Sequence, residues 1–230
     1  NMKIQINTLD FSSIYKVKKL INIGSACIYS DENKTPFNEE DFDKKKMHSS
    51  VLYYGFSKLT QIYGSRALEN EFGLRSINIQ PANLYGSTDK FDAENSHVVS
   101  AMVKKFSLAQ KKKIKKVTFY GTGNTIREFI HVDDCAEGVV RALEKYNLSS
   151  PINIGTGKGT KIKDLAKIIS KLIDYKGKIF WDRSVEDGAK IKVLDNKKMI
   201  KKLKWSPKTS LNNGLKKLIM DLKKKNYFNV

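Results

Sequence analysis

Two short apolar runs, each stopped by a turn, most constrain what this chain can become. Lys19–Ile23 (Lys-Leu-Ile-Asn-Ile) stops at Gly24-Ser25, and Ser76–Gln80 stops at Pro81-Ala82-Asn83-Leu84-Tyr85-Gly86. Runs this short, apolar without polar alternation, read as strands buried on both faces, as in a parallel sheet covered by helices. Parallel strands need a crossover, and the stretch from Leu52 to about Phe72 supplies a helix. Leu59, Ile62, Tyr63 and Ala67 are its expected packed face, and Gly73 ends it. Asn1–Ser13 has helical spacing at Met2, Ile4, Leu9 and Phe11. The order helix, strand, helix, strand predicts a doubly wound α/β fold. In such sheets ligands sit at the carboxyl ends of strands, where Ser25, Ala26 and Cys27 fall.

Between these elements, Ser30–Ser50 is polar, carries Pro36 and Glu39-Glu40-Asp41, and reads as a loop long enough to belong to a site. Beyond Gly86 the rhythm loosens. Asp89–Asn95 is polar, Ser96–Leu108 reads as a helix starting near His97, Lys116–Tyr120 as a strand, and Gly121–Asn124 as a turn. Phe129–Val132 is short and apolar, with Asp133 or Asp134 as the expected cap of a helix from Cys135 to about Tyr146. Ile152-Asn153-Ile154 leads into a glycine turn. A helix over Ile162–Ile173, a strand at Lys178–Trp181 and a lysine-rich helix from about Leu211 complete the chain.

Composition narrows the function classes. The 230 residues, 40% hydrophobic and 10% aromatic, suffice for a sizeable core. No apolar run approaches the roughly 20 residues that span a bilayer, and no basic-then-apolar leader is seen. Cys27 and Cys135 are too few for a disulfide framework and lack metal-ligand spacing. The expected location is cytoplasmic, with no membrane partner and no metal. A net charge of +19 first suggests nucleic acid, yet only five of 43 basic residues are arginine. Base readout relies on the arginine fork, and the lysines come as scattered doublets and triplets. An anionic small molecule is the expected partner rather than nucleic acid.

Among candidate chemical groups, Tyr54 and Lys58 lie one helical turn apart on one face. A neighbouring ammonium favours phenolate and draws the tyrosine pKa down from about 10 toward neutrality, making Tyr54 a candidate proton donor. The same spacing recurs at Tyr15 and Lys19, so spacing alone does not assign chemistry. Ser25 either bonds the same substrate oxygen or satisfies its turn. Cys27 is either a small buried residue or a thiolate base. His97 either sits in the first turn of its helix or serves as a proton donor. Arg127 suits bidentate contact with phosphate or a surface ion pair. Gly155-x-Gly157-x-Gly159 brings the third glycine one residue early for G-x-G-x-x-G, and reads as a turn.

Taken together, the residues resemble the extended short-chain dehydrogenase/reductases, and within them the branch that makes GDP-L-fucose. The matching runs are Gly24–Tyr29, Tyr54-x-x-x-Lys58, Pro81–Gly86, Asn95–Val98, Gly121-Thr-Gly123 with Arg127-Glu-Phe129, His131–Asp134, and Ile152–Gly157. They follow the family's order across nearly the whole chain, and the cysteine two places after the serine is the sharpest discriminator. Position 26 is Ala where a second serine is usual, Tyr120 stands for a tryptophan, and Lys105 replaces an arginine. The family's first two βαβ units have no counterpart, so the chain is expected to begin inside a helix of the dinucleotide-binding domain.

The resemblance implies the C-terminal part of a Rossmann-like doubly wound sheet (1–85 and 128–155) plus a smaller α/β substrate domain (86–127 and 156–230). It implies 3,5-epimerisation and then NADPH-dependent 4-reduction of a GDP-4-keto-6-deoxymannose; another sugar-nucleotide epimerase or reductase, and a non-catalytic basic binding fragment, are the alternatives. The implied catalytic set is Ser25, Cys27, Tyr54, Lys58 and His97. Gly24, Ser25, Ala26, Tyr54, Lys58, Pro81, Asn83, Leu84 and His97 would hold NADP(H). Lys105, Tyr120, Arg127 and Asp187 would hold the GDP-sugar. A homodimer through the Tyr54 helix is implied as well.

Overall fold

The computed structural model describes residues 1–91 and 96–228. Residues 92–95 of the polar stretch 89–95, including Asn95 of the Asn95–Val98 run, lie outside the described residues.

Helix α1 (Met2–Ile14) precedes strand β1 (Leu20–Ile23). A long loop follows, with single 3-10 turns at Ala26–Ile28, Glu39–Asp41 and Ser49–Val51. Helix α2 (Leu52–Phe72) then crosses to β2 (Ser76–Pro81). It ends where Gly73 takes φ 69°, a left-handed turn that glycine adopts without a steric penalty. β1 pairs with β2 in parallel, Ile21 opposite Ile77 and Ile23 opposite Ile79. β6 (Ile152–Ile154) adds on the far side of β2, also parallel. The parallel α/β architecture expected from the two apolar runs is the one found, but only β2 is buried along its whole length; in β1 Asn22 alone is buried and Ile23 is exposed.

A second sheet centres on β5 (Ile126–His131), flanked by β3 (Asn83–Tyr85), β7 (Gly159–Lys161) and β9 (Ile191–Lys192). A third pairs β4 (Lys116–Tyr120) with β8 (Lys178–Asp182) in parallel. Helices α3 (Val98–Lys111), α4 (Val132–Lys145), α5 (Ile162–Ile173), α6 (Lys197–Leu203) and α7 (Leu211–Lys224) complete the described structure. None of the described helices is long and apolar enough to cross a membrane.

The buried side chains form two clusters. Ile28, Ile62, Ile77, Ile79, Ile130, Ile152 and Ile154 anchor the first, which also takes in Met199, Leu203 and Trp205 from after β9. Tyr85, Phe106, Phe129, Leu165, Ile169, Leu215 and Leu218 anchor the second. Ile130 and Phe129 are neighbours in β5 yet serve different clusters, because alternate strand residues point to opposite faces. β5 is thus the shared wall, and the site lies beside it.

Several local expectations are corrected. Tyr63 and Ala67 are exposed, and α2 instead buries Gly55, Ser57, Gln61, Ile62 and Ser65. Gln61 donates to Asn22, and Ser65 and Asn78 exchange hydrogen bonds, so this face packs through polar partners that an apolar count misses. The apolar run at 129–132 is the end of a strand that starts at Ile126 and stops at His131, with Val132 already in the next helix. α4 begins at Val132, and its cap is His131, whose Nδ1 accepts from the Asp133 N–H at 3.2 Å. Asp133 and Asp134 lie inside the first turn, where their charge favours the helix dipole.

Candidate active site

The residues after β1 are fixed by hydrogen bonds that the turn sequence makes available. The Gly24 N–H donates to the Ile79 carbonyl at 2.7 Å, and the Ser25 N–H to Gln80 Oε1 at 2.8 Å. A side chain on Gly24 would run into the Gln80 amide and displace the oxygen to which the Ser25 N–H donates. Ser25 caps the 3-10 turn, its Oγ accepting from the Cys27 N–H at 3.1 Å. Cys27 is thereby held half-buried at the carboxyl end of the parallel strands.

Helix α2 comes down on this turn. A Cβ on Gly55 would stand 2.7 Å from the Cys27 carbonyl oxygen, so only glycine lets the first turn of α2 pack so closely. Tyr54, 42% exposed, and Lys58 then face the same cleft as Ser25 and Cys27. Lys58 Nζ donates to the Ile23 carbonyl at 2.8 Å and stands 5.8 Å from the centre of the Tyr54 ring.

The cleft measures about 650 Å³, ample for a sugar ring and its neighbours. Gly24, Ser25, Ala26, Cys27, Tyr54, Lys58, Pro81, Asn83, Leu84 and His97 all line it. His97 is the N-cap residue of α3, with a side chain 75% exposed and Nδ1 3.1 Å from Asp89 Oδ1. Lys105, Tyr120, Arg127 and Asp187 stand outside that lining. Tyr120 is 70% exposed at the end of β4, where Lys105 donates to the Thr118 carbonyl. Asp187 accepts from the Thr122 N–H at 2.9 Å and from the Thr122 hydroxyl. Arg127 is half-buried and its charge interacts with Asp187 and with Cys27, so it links this group to the cleft.

The electrostatics overturn one expectation. The Tyr54 pKa is raised, first by burial, then by the charge of a Cys27 thiolate, with a Ser25 hydrogen bond working the other way. Burial lowers Lys58 in turn. Lys58 stands over the ring and donates its hydrogen bond to the Ile23 carbonyl, so desolvation decides the sign and the phenol stays protonated.

Among the cleft residues that escaped the sequence reading are Asp89, already seen beside His97, and two on or next to the β5–β9 ladder. Lys192 on β9 pairs in register with Arg127 and lines the cleft. Burial lowers its pKa, while the Cys27 charge opposes that shift. Nothing in the sequence separates it from the other lysines. Glu128, also lining the cleft, is 1% exposed. Its place in Arg127-Glu-Phe129 was visible, yet the motif reading gave it no role.

Residues 1–155 match the NAD dependent epimerase/dehydratase family. GDP-L-fucose synthase 1 of Arabidopsis thaliana is 35% identical over 94% of this chain, which covers 66% of that relative. The GDP-L-fucose synthase of Escherichia coli is 32% identical over 94% of this chain and 70% of its own length. The chain thus spans about two thirds of the curated relatives it matches. A solved GDP-6-OMe-4-keto-L-xylo-heptose reductase from C. jejuni superposes with TM-score 0.92, at 26% identity over 98% of this chain and 76% of the other. This chain belongs to the NAD dependent epimerase/dehydratase family.

Proposed function

We propose that the cleft epimerises a GDP-4-keto-6-deoxyhexose at carbons 3 and 5 and then reduces carbon 4, the GDP-L-fucose synthase reaction. The observation that carries the reading is the placing of Cys27, Tyr54 and Lys58 on one cleft with His97 on its rim. Relatives 31–35% identical that are named for GDP-L-fucose or GDP-L-colitose synthesis support it.

The residues present fit the nicotinamide end of an NADP(H) cofactor. Lys58 can reach a ribose hydroxyl, Pro81 and Leu84 offer apolar wall, and Gly24 and Ala26 leave room beside them. The 230 residues contain no G-x-G-x-x-G run to cradle a pyrophosphate. A MlghC reductase solved with NADP bound, 26% identical, supports the choice of cofactor. When bound, NADPH supplies hydride to carbon 4.

The chain's own groups do the rest. Tyr54 and Ser25 hydrogen-bond the 4-keto oxygen, which acidifies the protons on carbons 3 and 5. The Cys27 thiolate takes such a proton, the C–H electron pair passes into an enolate, and His97, held by Asp89, returns a proton from the opposite face. At the reductive step Tyr54 gives its proton to the 4-oxygen, a role suited to a phenol that burial keeps protonated. Arg127 and Lys192 hold the diphosphate side, with Lys105, Tyr120 and Asp187 toward the nucleoside. In this reading 1–85 and 128–155 serve the cofactor and 86–127 and 156–230 the sugar nucleotide. The enzyme works in the cytoplasm as a homodimer through the exposed face of α2, on which Tyr53 and Phe56 lie.

The likeness to heptose reductases favours a second reading, reduction of a GDP-4-keto-heptose. Deuterium uptake from heavy water into GDP-4-keto-6-deoxymannose, with and without NADPH, separates the two. Uptake at carbons 3 and 5 before NADPH is added is the expected result. Reduction without uptake would replace the first reading by the second, and silence toward both GDP-sugars would overturn the substrate class.

A further inference from the structure

Strand β9 pairs with β5 at only two positions, Ile126 with Ile191 and Arg127 with Lys192. Where that ladder stops, a side chain takes over. Glu128 Oε2 accepts from the Leu194 N–H at 2.7 Å. Its other oxygen accepts from the Gly157 N–H at 2.8 Å and from the Thr156 hydroxyl at 3.3 Å. From the other side, the Phe37 N–H donates to the Val193 carbonyl at 2.8 Å, and the Asp195 N–H to the Phe37 carbonyl at 2.9 Å. Residues 193–195 are therefore gripped on two sides, directly after Lys192, which lines the cleft.

A buried carboxylate is costly unless its lone pairs are used, and here both oxygens are. The grip also needs a carboxylate. Two oxygens each face a backbone N–H, and a Gln amide would turn an NH2 group toward one of those donors. One of the two anchor points must then open. An Asp, one methylene shorter, cannot span both. Burial raises the Glu128 pKa while the backbone donors hold it down, so the same bonds that fix the segment also keep the carboxylate available to accept them.

We infer that Glu128 is a positioning residue, whose buried carboxylate clamps the segment after β9 and thereby sets where the Lys192 ammonium stands in the cleft. The inference rests on the cleft being the sugar-nucleotide site. The Glu128 carbonyl adds to the same work by accepting from Asn83 Nδ2 at 2.7 Å, which orients an amide on the cleft wall.

The test reads Lys192 itself, so its outcome is separate from the fate of the substrate reading. The 230-residue chain, wild type and Glu128→Gln, is treated with acetic anhydride across pH, and each lysine is followed by mass spectrometry. Lys192 is expected to acetylate about fivefold faster in the variant while Lys58 stays within about twofold, because local opening exposes only the segment that lost its anchor. Equal change at Lys192 and Lys58 would mean general loosening and would overturn the inference, as would no change at Lys192. If Glu128→Gln fails to fold, amide hydrogen exchange on the wild type decides. Protection of the Leu194 N–H by about 100-fold or more supports the clamp, and exchange at the unprotected rate overturns it.

Discussion

Tyr54 and Cys27 share a cleft in which burial first, and then charge on Cys27, push the Tyr54 pKa up. Tyr54 therefore keeps its proton, as the acid of the proposed reductive step must. Replacing Tyr54 by Phe should cut the reductive step by roughly 10²–10⁴, the usual contribution of a positioned acid. NADPH consumption with the 4-keto sugar measures it, and a loss below tenfold would remove Tyr54 from the acid role.

Cys27→Ser should separate the two half-reactions. A hydroxyl is a far weaker base at neutral pH, so deuterium uptake at carbons 3 and 5 should drop by roughly 10²–10⁴. Reduction of the unepimerised ketone should persist, and NMR of the product sugar shows which stereocentres were inverted. Undiminished exchange would place the base elsewhere.

Asn153 ties three stretches of chain to β6. It accepts from the Tyr29 hydroxyl and donates to the Phe37 carbonyl at 3.0 Å and the Asp195 carbonyl at 3.2 Å. Asn153→Ala should cost on the order of 2–4 kcal/mol, since several buried groups lose their partner at once. Urea denaturation reads the change, and a cost under about 1 kcal/mol would show that the network relaxes onto other partners.

Gly73→Ala tests the end of α2. The residue takes φ 69° with open space around it, so the penalty is conformational alone, about 1–2 kcal/mol. A melting experiment showing no loss would mean that the helix ends differently in solution.

Glu39 gives a prediction in pH. Its carboxyl is buried, accepts from the Asn153 N–H at 3.0 Å, and titrates above its ordinary value of 4.5, chiefly through burial. The folded state then holds that proton more tightly than the unfolded chain. The stability it contributes is full below the unfolded pKa and is lost as pH rises through the folded one. Glu39→Gln lacks this slope, so its stability relative to wild type should climb as pH is raised above 4.5. A flat difference across that window would contradict the raised value.

What could be read in the sequence was what is locally encoded. The Lys19–Ile23 run, the Leu52–Phe72 helix with Gly73 behind it, and the helix over Ile162–Ile173 each carry their period and stop signal within a few residues. Cleft residues grouped around Ser25 and Tyr54 were legible because they sit in motifs at strand and helix ends. β3, β7 and β9 were not, being two or three residues long and defined only by their partners on β5. α6 hides in a lysine-rich stretch whose apolar contacts, Met199 and Leu203, belong to a distant cluster. Lys192 and the grip of Glu128 on Leu194 share that cause, since each depends on pairing between segments more than 60 residues apart. The cap of α4 went astray because a histidine ring took the position expected of an aspartate.

The bare Gly55 carries one last consequence. Because the helix bearing Tyr54 rests directly on the carbonyl of Cys27, no side chain at position 55 stands between the helix and the thiol's turn as a spacer. Any shift of the helix carries the phenol and strains the thiol's turn together. A designer wishing to keep one half of the proposed chemistry and discard the other does better to change functional groups in place than to move this helix against this turn.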